Sequence, residues 1–226
     1  MSTVNVITFV GRGNVGKSLT VEMIGRALVK QGQKVIIIDM DGQANLSRKA
    51  VGSPIYNLCD VLTGRAGLFE AMTEFADSGA YIVPSCPNLE EVKADAVRNP
   101  MRLAEAVQTA DNAIVLIDTP GAFDEFGQMA VLASTLVVGV TNTNMESFER
   151  AKAIARQVNE LAAAGYDARF YGYVLTYTGG QSTLRREAVE HIQSNGHVLA
   201  EVKEDNSKRR MTYFRKVYGG IAELLV

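Results

Sequence analysis

A chain of 226 residues, 47% hydrophobic and 21% charged, can bury the core of one α/β domain and is too short to add a sizeable second one, so a single domain spanning 1–226 is expected. A formal net charge of −2 excludes a globally basic nucleic-acid binder, and any such surface must be local. Cys59, Cys86, His191 and His197 show no metal-ligand or redox spacing, and no apolar run reaches the length of a membrane span. The expectation is a cytoplasmic chain with two packing thiols, no leader and no membrane partner.

The first apolar run, Val4–Val10, leads into Gly11-Arg12-Gly13-Asn14-Val15-Gly16-Lys17-Ser18 and then an amphipathic stretch, Ser18–Gln31, ended by Gly32. A strand, a glycine-rich loop and a helix in that order form a phosphate-binding loop. Gly11, Gly13 and Gly16 let backbone N–H groups turn inward, with Arg12, Asn14 and Val15 completing the cradle. Lys17 reaches the β and γ phosphates, the Ser18 hydroxyl ligates Mg²⁺, and the helix N-terminus favours anions. This reading implies binding of a nucleoside triphosphate.

The second run, Val35–Met40, ends in Asp39-Met40-Asp41-Gly42-Gln43-Ala44-Asn45. In β geometry Asp39 and Asp41 point to one side, near the γ-phosphate if this strand lies beside the first. Helical patterns follow at Ile55–Leu62 and Gly67–Ala76, then a strand at Tyr81–Pro84 and a helix at Met101–Thr109. Ala113–Asp118 is a strand ending in an acid suited to Mg²⁺, a hard cation that wants oxygen ligands, and Thr119-Pro120-Gly121 offers a Gly121 N–H to a γ-phosphate. The remaining elements are a helix at Asp124–Leu132, a strand at Thr135–Val140, a helix at Glu146–Ala164 closed by Gly165, a strand at Tyr171–Thr176, a helix at Ser182–Ser194 and a weaker strand at His197–Val202. Such alternation predicts a largely parallel α/β sheet covered by helices on both faces, with ligands at the carboxyl ends of the strands.

The order of these motifs resembles the ParA/MinD family of deviant Walker ATPases. That family's loop reads Lys-Gly-Gly-x-Gly-Lys-Thr/Ser, its second strand ends in Asp-x-Asp-Pro-Gln-x-Asn, and its next two end in Pro-Ser and Asp-x-Pro. Arg12–Ser18, Asp39–Asn45, Pro84-Ser85 and Asp118–Pro120 are similar, as are Ile55–Leu62 and Met129–Val140. The resemblance implies a P-loop NTPase fold that binds ATP and Mg²⁺, an ATP-dependent homodimer, nonspecific double-stranded DNA, an adaptor protein that stimulates slow hydrolysis, and the positioning of a plasmid, chromosome or large protein cargo. It implies that Asp41 orients the attacking water and that Asp39 helps organise the Mg²⁺ shell. Arg12 stands at the signature lysine, where an arginine keeps the charge and would serve as a finger toward a partner's phosphates. Asn14 replaces a glycine, and Gly42 replaces the proline.

By the same resemblance, Lys203–Lys216 closes over adenine and offers Lys208, Arg209, Arg210, Arg215 and Lys216 to DNA, with Thr176 and backbone near Lys203–Asn206 at the base. The tail from Tyr218 to Val226 has two glycines and no lysine, a poor membrane anchor. Two other readings remain. One is a nucleotide-binding regulatory or scaffold protein with little turnover, as in conjugative transfer or secretion. The other is a small GTPase, against which stand the spacing of about a hundred residues between the two phosphate motifs and the missing Asn-Lys-x-Asp.

Overall fold

A computed structural model describes residues 4–177, 183–204, 207 and 210–226. The first half runs β1 (Asn5–Val10), α1 (Lys17–Lys30), β2 (Val35–Asp39), α2 (Leu58–Thr63), β3 (Thr73–Glu74), β4 (Tyr81–Val83), α3 (Lys93–Arg98) and α4 (Arg102–Val107). The second runs β5 (Ile114–Asp118), α5 (Glu125–Leu132), β6 (Leu136–Asn142), α6 (Met145–Ala163), β7 (Arg169–Thr176), α7 (Thr183–Asn195), β8 (Val198–Val202) and α8 (Arg210–Leu224). Among the described residues these strands form one sheet in the order β3-β4-β2-β5-β1-β6-β7-β8, parallel except for the antiparallel edge strand β3.

Each central strand is apolar on both sides because helices cover both faces. Val6, Ile36, Ile38, Val115 and Ile117 pack with Leu58, Leu62, Leu103, Val107 and Phe126 from α2, α4 and α5. The alternate residues Ile7, Phe9, Ile37, Leu116 and Val138 pack with Val21, Ile24 and Leu28 of α1 and Phe214 and Tyr218 of α8. That period of two sets the strand register, since a slip of one residue would exchange the two cores.

Several expected elements are corrected by the structure. β5 lies between β1 and β2, so the second strand is not the neighbour of the first. The stretch expected as a helix over Gly67–Ala76 is a 3₁₀ turn at Phe69–Ala71 followed by β3, whose pairing with β4 satisfies its backbone. α2 starts three residues later than expected, because Asn57 and Asp60 form a capping box, and Gly64 ends it in a left-handed conformation. α3 and α8 are not among the elements expected from the sequence. In α8 the adjacent Gly219 and Gly220 cost helix propensity, about 1 kcal/mol each, and burial of Phe214, Tyr218, Ile221 and Ala222 offsets it.

The two cysteines do not pack as separate thiols. Leu58 N–H bonds to the Pro84 carbonyl at 2.9 Å, which carries the start of α2 onto the end of β4. Cys59 and Cys86, 27 residues apart, thereby meet with Cα atoms 6.0 Å apart and are joined as a disulfide. Beyond α8, Leu225 is buried and its carbonyl accepts from Asn5 Nδ2, so the tail is part of the core. Among the described residues no helix is long and apolar enough to cross a membrane.

Candidate functional site

The carboxyl ends of β1, β2 and β5 converge by register: Phe9 stands opposite Asp118, and Asp118 opposite Asp39. The loop after β1 turns tightly, with Asn14 at φ 64° and Gly16, the N-cap of α1, at φ 88°. Asparagine tolerates that left-handed conformation, so its replacement of glycine leaves the turn intact. Thr119 Oγ1 donates to the Phe9 carbonyl at 2.8 Å and pins the segment after β5 to the end of β1. Gly121 then meets the loop backbone to backbone: a Cβ there would stand 2.7 Å from the Gly13 nitrogen, which only glycine avoids.

Lys17 is buried, and its Nζ donates to the Arg12 carbonyl at 3.1 Å, closing the loop on itself. Burial lowers its pKa, while the charges of Asp118 and Asp41 pull it back up. Asp118 is fully buried and neither carboxylate oxygen has a hydrogen-bond partner among the described residues. Burial pushes its carboxyl up to about 7, assisted by Asp39 and Asp41 and opposed by the adjacent Ser18 hydroxyl and Lys17. A buried carboxylate with free oxygens beside a hydroxyl and an ammonium suits a divalent cation and phosphates, because Mg²⁺ takes one or two protein oxygens and completes its shell from phosphate and water. Ser18 and Asp118 are the residues that would hold it.

Asp39 is placed differently from the expectation. Its Oδ1 accepts the Asp41 N–H at 3.1 Å, and its Oδ2 accepts the Ser47 N–H at 2.8 Å and hydroxyl at 2.6 Å. Both oxygens are engaged by its own loop, so Asp39 braces that loop, and burial raises its pKa. The strand ends at Asp39, so strand alternation does not set the direction of Asp41. Asp41 is half-buried, accepts the Gln43 N–H at 2.9 Å, and lines a polar cleft of ≈ 710 Å³ with Gly13, Asn14, Lys17, Ser18 and Gly121.

A second cavity of ≈ 240 Å³ adjoins the cleft, sharing Gly16, Leu19 and Tyr177 as walls. Its other walls include Val202, Met211, Phe214 and Tyr218, so a strong apolar surface sits beside the phosphate loop, of a kind suited to a planar base. Thr176 also lines it, with its one hydroxyl hydrogen shared between the Val15 carbonyl at 2.7 Å and the Thr141 carbonyl at 3.0 Å. Thr176 therefore ties the loop to β6 and β7. The Lys203 N–H is likewise taken, by Tyr213 Oη at 2.7 Å. The wall supplied by α8 was missed in the sequence; its signal is the spacing of Met211, Phe214 and Tyr218 along one helical face.

Arg12 Nη1 donates to Glu146 Oε2 at 2.7 Å, at the start of α6. Of the expected basic cluster, Arg210, Arg215 and Lys216 are exposed on α8, while Lys208, Arg209 and the segment 205–206 lie outside the described residues. Arg210 packs over Phe214, and Arg215 lines a groove with Arg26 and Lys30 of α1, which the sequence did not connect. Arg185 pairs with Glu204 at 3.5 Å.

Comparison with known proteins agrees with this geometry. The family described as AAA domain matches residues 4–168. An uncharacterized ATP-binding protein of Methanocaldococcus jannaschii is 28% identical over 210 residues, covering 90% of this chain and 75% of that protein. The chromosome-partitioning ATPase Soj of Thermus thermophilus is 22% identical over 185 residues, covering 81% and 73%. Cobyrinic acid a,c-diamide synthase from Mycobacterium smegmatis, crystallised with a bound ATP analog and magnesium, superposes with a TM-score of 0.86 at 19% identity over 99% of this chain and 94% of that one, which shows a shared fold.

Proposed function

This chain belongs to the ParA/MinD family of P-loop ATPases, whose AAA domain it carries over residues 4–168, and on that premise we propose that it is an ATP-driven positioning switch. In this reading it binds ATP with Mg²⁺, dimerises on ATP, holds nonspecific duplex DNA as the dimer, and is reset when an adaptor stimulates slow hydrolysis. The cargo is a plasmid, a chromosome or a large protein body. ATP would drive the cycle because it binds the dimeric state better than the monomer.

One observation carries the reading: Lys17, Ser18, Asp41, Gly13 and Gly121 line one cleft that adjoins an apolar cavity, with Asp118 buried beside Ser18 and Lys17. Bound Mg²⁺ would supply charge neutralisation at the phosphates. Lys17 adds a buried positive charge, Asp41 orients water, and Gly121 couples the segment after β5 to the phosphate loop. A carboxylate of ordinary basicity removes a proton poorly, so turnover rests on positioning and is slow.

The test is fluorescence anisotropy of a random-sequence duplex with no nucleotide, ADP, ATP or GTP plus Mg²⁺, at two salt concentrations. Binding with ATP alone that weakens with salt supports the switch; binding that ignores nucleotide, or needs GTP, sinks it. A second reading is a nucleotide-binding scaffold without the dimer cycle, in which Arg12 keeps its contact with Glu146 of its own chain when ATP is bound. That reading predicts ATP binding with no change in sedimentation and no DNA binding.

A further inference from the structure

The loop from Asp39 to Lys49 carries the acid assigned to the attacking water, and a single hydroxyl gathers it. Ser47 Oγ donates to Asp39 Oδ2 at 2.6 Å, and the Ser47 N–H donates to the same oxygen at 2.8 Å. That Oγ also accepts the Ser85 N–H at 2.8 Å, from the segment that follows β4. The other oxygen of Asp39 accepts the Asp41 N–H. Ser47 thus joins residues 39, 41 and 85 through atoms that the rest of the cleft does not use.

A hydroxyl has one hydrogen to give and two lone pairs to offer, and here both functions are taken. Its donation to a carboxylate is charge-assisted, stronger than an ordinary hydrogen bond. Asp39 is wholly buried and Ser85 nearly so, and the Ser47 hydroxyl bridges them. Removing Oγ would take one of three donors from a buried carboxylate and strand the Ser85 N–H without an acceptor, and buried groups left unpaired are costly. The loop would answer by moving, and the residue closest to the break on the reactive side is Asp41.

We propose that Ser47 is a positioning residue, which locks the backbone at Asp41 to the end of β4 before nucleotide arrives, so that the acid stands ready for its water. This inference rests on the role given to Asp41 above. It assigns Ser47 an effect on turnover and loop order, and little effect on nucleotide affinity, because Ser47 does not line the phosphate cleft.

The experiment compares wild type, Ser47→Ala and Ser47→Thr. Amide hydrogen exchange of the nucleotide-free protein is followed at Asp41 and Ser85, with Ile7 and Leu116 as core references, and steady-state kinetics give kcat and KM. In Ser47→Ala, exchange at Asp41 and Ser85 should rise about tenfold or more with the core unchanged, while kcat falls about tenfold and KM stays within about threefold. Threonine keeps the hydroxyl, so Ser47→Thr should restore both readouts. Wild-type exchange at Asp41 and Ser85 in Ser47→Ala overturns the proposal, as does unchanged kcat, or a threonine variant as impaired as the alanine. A wild type without ATP turnover would defeat the reading of function, and the exchange comparison would then decide the role of Ser47 by itself.

Discussion

Arg12 Nη1 and Glu146 Oε2 stand 2.7 Å apart, which ties the residue at the family's signature position to the first turn of α6 in its own chain. Glu146 also accepts from Arg150 at 3.2 Å, and all three side chains are substantially exposed. Exposed pairs of this kind are worth about 0.2–1 kcal/mol, too little to hold Arg12 against a triphosphate. Glu146→Gln should therefore raise ATP-dependent dimerisation modestly, up to about fivefold in the association constant. Arg12→Ala should abolish it. Sedimentation velocity with ATP and Mg²⁺ checks both, and a dimer formed equally well by Arg12→Ala would remove Arg12 from the partner's site.

Lys17 and Asp41 line one cleft, and the proposed function gives them different parts. Lys17→Ala should weaken ATP binding by about tenfold or more, since it removes a charge from a buried phosphate site. Asp41→Ala should leave binding intact and slow hydrolysis, which traps the ATP state. Titration calorimetry and a phosphate-release assay separate the two effects. An Asp41→Ala protein that turns over at the wild-type rate would refute its role.

Asp118 links stability to pH. Its folded pKa, about 7, lies above the unfolded value of 3.8, so between these values the folded state holds more protons than the unfolded state. Stability of the nucleotide-free protein should then fall as pH rises from about 4 toward about 7, and the burial cost is complete above that range. Asp118→Asn removes that cost, so its melting temperature should exceed wild type at about pH 8 by roughly 10 °C, with the gap closing at about pH 4. Scanning fluorimetry without nucleotide measures this, and a constant gap across pH would discount the burial of the charge.

Arg215 and Lys216 are exposed on α8, clear of the phosphate cleft. Arg215→Glu with Lys216→Glu should abolish binding of a random duplex while ATP affinity stays within about twofold. Removing one cation from the DNA phosphates should flatten the log-log salt dependence by about one unit per subunit. Unchanged DNA binding would move the surface away from α8.

Gly121→Ala places a Cβ 2.7 Å from the Gly13 nitrogen. Backbone cannot rotate aside as a side chain does, so the segment after β5 must retreat. Hydrolysis should fall more than about tenfold, by the general sensitivity of positioned sites to small displacements, with a smaller reduction in ATP affinity. Wild-type turnover in this variant would disconnect Gly121 from the reaction.

Much of this protein is local information. The strand runs, the glycine loop, the helix after it and the acid before Thr119-Pro120-Gly121 are legible because apolar periodicity and turn chemistry act over a few residues, and that was enough to determine a parallel α/β sheet with a phosphate site at its carboxyl rim. Strand order was not legible: β5 enters between β1 and β2 after long excursions, a choice made by packing two cores at once. Nor were the partners of the functional groups. Asp39 meets Ser47 and, through it, Ser85; Arg12 meets Glu146; Cys59 meets Cys86; and the side of α8 that bears Phe214 and Tyr218 walls the cavity beside Gly16. Those pairings join residues distant in sequence. Only the tertiary structure decides which donor a buried carboxylate receives, because that depends on which backbone ends the packed sheet brings within hydrogen-bond reach.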